Sequence, residues 1–151
     1  MLGQSENFAE IISHDIIVAP ATTKGRSAIA GIRISGLNSI EFTRRSLMLN
    51  ISCLETNTAH VTKFSIEYNS HRILDKAVVI IYRAPKSYTG EDMVELFVHG
   101  NPLLVETLVE FMISKGARLA HPGEFTLRVA KRQDGSSRRR ISFCGYRSSN
   151  S

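Results

Sequence analysis

The sequence predicts an α+β fold, a mixed or antiparallel sheet with helices packed on it. Three observations predict it. Phe64, Ile66 and Tyr68 alternate with Lys63, Ser65 and Glu67, the period of a half-solvated strand. Ala77-Val78-Val79-Ile80-Ile81 is a continuous apolar run, the pattern of a central buried strand. Strand signatures also follow one another with no helix between them, whereas a doubly wound α/β sheet alternates the two. The expected order is β-β-α-β-β-β-α-β-α, without internal repeats.

Taken in order, Ile16-Ile17-Val18-Ala19 is a short apolar run stopped by Pro20 and reads as a strand. Residues 21–27 form a loop carrying Lys24-Gly25-Arg26, and residues 28–34 a second strand closed by Ser35-Gly36. Asn38 and Glu41 have capping-box spacing, with Leu37 placed as a hydrophobic staple, so a helix is expected to about Leu49. A polar connection over 50–60 leads to the alternating strand, a turn at Asn69-Ser70 and the strand Ile73 to Tyr82. Residues 84–92 form a loop, and Met93 to Val98 the next strand. Asn101-Pro102 opens a helix with proline at its first position, Leu104, Leu108, Phe111 and Met112 give it an apolar face, and Gly116 stops it. Residues 117–120 form a short strand, and Pro122-Gly123-Glu124-Phe125 begins a helix that the tail is expected to cut short.

Composition changes at about residue 130. Residues 1–130 carry 13 Lys+Arg against 13 Asp+Glu, while residues 131–151 carry 6 Lys+Arg and one Asp, so the net charge of +5 belongs to the tail. The basic character therefore does not assign nucleic-acid binding to the folded part. Three regions are expected: an N-terminal extension over 1–14, one domain over 15–130, and a basic, disordered tail over 131–151. No run approaches the roughly 18 apolar residues that a membrane span requires. Met1 to Asp15 has neither a basic start nor an apolar core, so no secretory or transit peptide is expected. With only Cys53 and Cys144 present, a disulfide framework is not expected and a cytoplasmic location fits. The five His are scattered and no Cys-x-x-Cys occurs, so no metal site is expected.

Arg33 and Glu95 each place a charge inside an apolar strand. Alternation puts Ala28, Ala30, Ile32 and Ile34 on one face and Ile29, Gly31 and Arg33 on the other. Likewise Val94, Leu96 and Val98 oppose Met93, Glu95 and Phe97. Gly31 leaves room beside Arg33, and a carboxylate between Met93 and Phe97 is costly unless paired or ligand-bound. Two readings stand, a structural salt bridge (or exposure at an edge) and a ligand site in which both charges converge on one hollow. The loops Lys24-Gly25-Arg26 and Ser87-Tyr88-Thr89-Gly90-Glu91-Asp92 precede these strands. A glycine-rich basic loop can cradle an anion but is more often an ordinary turn. No Gly-x-x-x-x-Gly-Lys-Ser/Thr P-loop occurs, so the domain alone is not expected to bind GTP or ATP. His99 has no Ser or Cys placed to make it a general base, so no catalytic residue is assigned. Arg138-Arg139-Arg140 with Phe143 and Tyr146 could grip RNA, although a solvated tail is the plainer reading.

Together these segments resemble the N-terminal domain of the MnmE (TrmE) family of tRNA modification GTPases. The matching stretches run in family order from Asp15-Ile16-Ile17-Val18-Ala19 and Ala21-Thr22, through Gly25-Arg26 and Ile32-Arg33-Ile34-Ser35-Gly36. They continue with Ser87 to Glu95 and His99-Gly100-Asn101-Pro102, and end with Pro122-Gly123-Glu124-Phe125-Thr126-Leu127-Arg128. The ordered set, especially the Thr-Gly-Glu-Asp and Pro-Gly-Glu-Phe boxes, is highly specific. The resemblance implies a fold like the folate-binding domain of the glycine-cleavage T protein. It also implies binding of a tetrahydrofolate one-carbon derivative (5-formyl- or methylene-tetrahydrofolate) and homodimerisation. Full-length members add a helical domain and a GTPase domain that uses GTP, Mg2+ and K+. With the FAD-dependent MnmG protein they modify C5 of the wobble uridine of certain tRNAs. By motif, Arg33 and Glu95 match the family's folate-binding arginine and glutamate, and Phe97 and Tyr88 are candidates to cover the ring.

After Arg128 the chain departs from the family pattern. A family lysine that also contacts folate is replaced near Asp134, and the helical domain, GTPase domain and C-terminal Cys-x-Gly-Lys motif do not follow. Reading Val129 to Gly135 one base later permits Leu-Leu-Asn-Gly-Lys-Met-Asp, so the tail is read as an out-of-frame product of a frameshift. On this reading the chain is a truncated folate-binding and dimerisation module, inactive alone, that does not bind GTP, Mg2+ or K+. The alternatives are a stand-alone folate-dependent aminomethyltransferase-like protein and a small RNA-binding protein acting through the tail.

Overall fold

The fold was analysed in a computed structural model, which describes residues 15–49 and 55–135. In chain order the elements are β1 (Ile17–Pro20), β2 (Ile29–Ser35), α1 (Ser39–Ser46), β3 (Ala59–Tyr68) and β4 (His71–Tyr82). These are followed by β5 (Met93–His99), α2 (Pro102–Ser114), β6 (Arg118–Leu119) and α3 (Glu124–Gly135). The order is the one read from the sequence, and the class is α+β. The strands form one sheet in the order β3-β4-β5-β2-β1-β6. All pairings are antiparallel except β1 with β6, which makes the sheet mixed.

One face of the sheet carries the core. Ile32 and Ile34 of β2, Val79 and Ile81 of β4, and Val94, Leu96 and Val98 of β5 are all buried. They pack with Leu108, Val109, Phe111 and Met112 of α2, and Ile40 and Phe42 of α1 join them. Burying each such aliphatic side chain stabilises by about 1.5–3 kcal/mol, so period-two alternation fixes which way each strand faces. The β3–β4 hairpin turns on Asn69 and Ser70, both with positive φ (50° and 62°), the twist that suits a two-residue hairpin. Asn101 Oδ1 accepts from the Leu103 backbone N–H at 3.0 Å and caps α2, with Pro102 just inside the helix, as its sequence predicts.

The first helix departs from expectation. Asn38 adopts a left-handed conformation (φ 63°) and makes no side-chain cap, while Leu37 is exposed and staples nothing. Glu41 instead accepts from Arg44 and Arg45, and the helix ends at Ser46 instead of about Leu49. An N-cap residue ordinarily has an extended backbone, and the left-handed Asn38 departs from that geometry. The last helix continues through residue 135, five residues past the compositional break at 130. Residues 1–14, Cys53, and the tail from residue 136 (Arg138-Arg139-Arg140, Phe143, Cys144 and Tyr146) lie outside the described residues. Among the described residues no helix is long and apolar enough to cross a membrane, and no group of His, Cys, Asp and Glu could hold a metal ion.

Candidate functional site

Strand register brings the two strand charges together. Arg33 is the direct cross-strand partner of Glu95, on the sheet face opposite the apolar core. Arg33 Nε donates to Glu95 Oε1 at 3.1 Å and Nη2 donates to the same oxygen at 2.7 Å. Tyr82, from the neighbouring β4, donates its hydroxyl to Glu95 Oε2 at 3.0 Å. The side chains of Arg33 and Glu95 are 29% and 15% exposed, so the pair is shielded but reachable. Burial first, then the hydrogen bond to Glu95, push the Tyr82 phenol above its ordinary 10.0 and keep it a donor.

Aromatic rings line the cation. The Arg33 guanidinium carbon lies 5.3 Å from the centre of the Tyr88 ring and 5.6 Å from that of Phe125. Cation–π contacts of this kind contribute about 0.5–2 kcal/mol each, more when water is excluded. Tyr88 comes from the loop before β5 and Phe125 from α3, and the Tyr88 hydroxyl meets Thr126 Oγ1 at 3.1 Å. Phe97 is the direct cross-strand partner of Gly31, where an added Cβ would stand 3.2 Å from its ring. The space beside Arg33 that Gly31 was expected to leave is thus taken up by Phe97 and Thr22.

Arg33 and Glu95 contact one another directly, and both remain partly exposed. A cavity of about 880 Å3 lies elsewhere, on the helical face, lined by Phe42, Ile66 and Phe111 among others. The Lys24-Gly25-Arg26 loop is exposed between β1 and β2. His99 Nδ1 lies 2.9 Å from Asp75 Oδ2 in a surface pair.

Sequence reasoning missed Tyr82, Phe125 and a buried ionic cluster behind them. Tyr82 was legible in principle, two positions along the face from Ile80, the cross-strand partner of Glu95. In the cluster, Glu124 accepts from Arg118 Nη2 at 2.6 Å and Nη1 at 3.1 Å, and from the His121 backbone N–H at 2.8 Å. Arg128 Nη1 donates to Glu91 Oε2 at 2.8 Å, and Nη2 donates to the Asp15 carbonyl at 3.0 Å. Ser35 donates to the same Glu91 oxygen at 3.1 Å and meets Thr89 Oγ1 at 2.7 Å. Burial alone would raise the Glu124 carboxyl, but the Arg118 and His121 hydrogen bonds, with the charges of Arg118 and Arg128, hold it below its ordinary 4.5.

Fold and site together define a small α+β domain whose sheet face opposite the apolar core carries a shielded ion pair edged by aromatic rings. The family model described as GTP-binding protein TrmE N-terminus matches residues 16–133, and the chain belongs to that family. It is 44% identical over 115 residues to a tRNA modification GTPase MnmE of Thermotoga petrophila, covering 76% of this chain and 25% of the relative. It is 43% identical over 116 residues to the protein of that name from Cytophaga hutchinsonii (76% and 25% covered). Identity to the one from Aquifex aeolicus is 43% over 114 residues (75% and 25%). The chain thus spans about a quarter of the length of the curated relatives it matches and corresponds to their N-terminal part.

Proposed function

We propose that this chain is the folate-binding and dimerisation module of a tRNA modification GTPase, with Arg33 and Glu95 as the residues that hold a tetrahydrofolate one-carbon derivative. The observation that carries this reading is the Arg33–Glu95 pair, at family-matching positions, on one sheet face beside Tyr82, Tyr88 and Phe125. The donor and acceptor set suits a reduced pterin. A carboxylate has about four acceptor sites. Among the described residues Glu95 uses two on Oε1 and one on Oε2. Among the described residues Arg33 gives two of its five N–H donors, both to Glu95. The amino-pyrimidinone edge of a pterin offers two N–H donors to a carboxylate and a carbonyl to a guanidinium. Bidentate capture requires a vacant site on each oxygen, so Arg33 releases one of its bonds to Oε1 as the ligand binds. The neighbouring rings suit a flat heterocycle. The wider role is the one the family resemblance implies: a homodimer in the cytoplasm, acting with an FAD-dependent MnmG-type partner on C5 of the wobble uridine of tRNA, with GTP hydrolysis performed elsewhere in the full-length protein.

Titrating the full chain with 5-formyl-tetrahydrofolate by calorimetry tests the reading. Saturable binding is expected, and Arg33→Ala and Glu95→Gln should each weaken it by about 2–3 kcal/mol, the scale of a lost charge-assisted hydrogen bond. Titration curves identical to the wild type for both variants would reject the assignment.

A further inference from the structure

We infer that Arg128 is a positioning residue for this site, holding Phe125 and Tyr88 against Arg33 so that the pair is presented in one geometry. The inference rests on the folate reading for its meaning, but its geometry stands separately. Arg128 is buried, its side chain only 3% exposed. Its two terminal nitrogens reach partners far apart in sequence, Glu91 in the loop that carries Tyr88 and the Asp15 carbonyl that leads into β1. It stands three residues after Phe125 on α3, so its side chain projects from the same side of the helix. Its Nε has no hydrogen-bond partner among the described residues, so the outer fork alone sets its position. Behind it, Glu124 is 3.5 Å from Nη2 and is itself gripped by Arg118.

Both rings are therefore tethered through one guanidinium. Phe125 is fixed by the helix that Arg128 anchors. Tyr88 is fixed by the loop whose Glu91 takes Arg128 and Ser35 on one oxygen. A lysine would keep the charge but, as a point donor, could not serve Glu91 and the Asp15 carbonyl in the same fork geometry. The Pro-Gly-Glu-Phe-Thr-Leu-Arg and Thr-Gly-Glu-Asp segments thus act as one clamp, although neither Arg128 nor Glu91 touches Glu95 or Arg33 in the contacts described above.

The test uses the full chain with Arg128→Lys and, as a milder change, Glu91→Gln, each checked for folding by circular dichroism. The Arg33 Nε–H resonance, assigned by its loss in Arg33→Lys, reports ring currents from Tyr88 and Phe125 without any ligand. It is expected to shift in both variants, with 5-formyl-tetrahydrofolate affinity falling about tenfold in Arg128→Lys, as for displaced site groups. In a Tyr88→Leu/Phe125→Leu background, Arg128→Lys should have no further effect on affinity. An unmoved resonance in both variants overturns the inference, as does an equal affinity loss with and without the rings. If Arg128→Lys does not fold, the Glu91→Gln resonance decides. If the wild type binds no folate, the function proposed above fails while the resonance still decides the clamp.

Discussion

Arg33 is held by rings as well as by its counter-ion, which makes guanidinium and ammonium unequal at this position. Arg33→Lys would keep a positive charge near Glu95 but lose the two-donor grip on Oε1 and the planar contact with Tyr88 and Phe125. At the same scale, some positions are decided by space. A Cβ on Gly100 would stand 2.0 Å from the Ser27 carbonyl oxygen, and the two segments are tied there by Ser27 N–H to Gly100 O and Gly100 N–H to Ala28 O, both 3.2 Å. Gly100→Ala is expected to destabilise the chain by about 2 kcal/mol or more. Gly25→Ala, with nothing within 4 Å but a φ of +121°, should cost only backbone strain, about 1–2 kcal/mol. Urea denaturation of the two variants side by side measures the difference.

The helices separate a cap that works from one that only looks right. Asn101 accepts from the Leu103 N–H, and Asn101→Ala should cost about 1 kcal/mol of stability by thermal or urea unfolding. The Asn38 and Glu41 spacing is equally suggestive as sequence, yet the left-handed backbone at Asn38 removes the cap. Hydrogen bonds from Arg44 and then Arg45 draw the Glu41 carboxyl down to about 2. That triplet lies in solvent, where ion pairs contribute little, so Glu41→Gln should leave the melting temperature nearly unchanged. Among strands, period-two alternation placed Arg33 and Glu95 on the face away from the core, because burying Ile32, Ile34, Val94 and Leu96 forces that orientation. Alternation alone left open that the two charges are opposite one another; pairing register made them partners.

Across the whole molecule, carboxylates in ionic contacts tie distant segments together and set the response to acid. Glu124 sits below its ordinary 4.5 in the folded chain, and Asp75 below its ordinary 3.8, where burial opposes but the His99 and Lys76 hydrogen bonds prevail. A carboxyl lowered by folding gives stability that is complete above its unfolded value and lost as pH falls through its folded value. Melting temperature should therefore hold from neutral pH to about 5 and fall below that. Glu124→Gln should melt lower at neutral pH, because Arg118 loses one of its two ionic partners and keeps only Asp15, and should lose less on acidification. An acid limb as steep as the wild type's in Glu124→Gln would show that other groups govern it.

The sequence by itself determined the element order, the α+β class, the facing of β2, β3 and β5 and the two charges worth examining. Each of these follows from local periodicity or from the cost of a charge in an apolar strand. Tertiary structure alone decided the rest. It set Arg33 and Glu95 in direct contact and filled the space at Gly31 with Phe97. It also brought Tyr82, Tyr88 and Phe125 to the pair and joined Asp15, Glu91 and Arg128 across up to 113 positions of sequence. Those contacts depend on strand register and on where a loop and a terminal helix come to rest, quantities set by packing between segments, which local pattern does not encode.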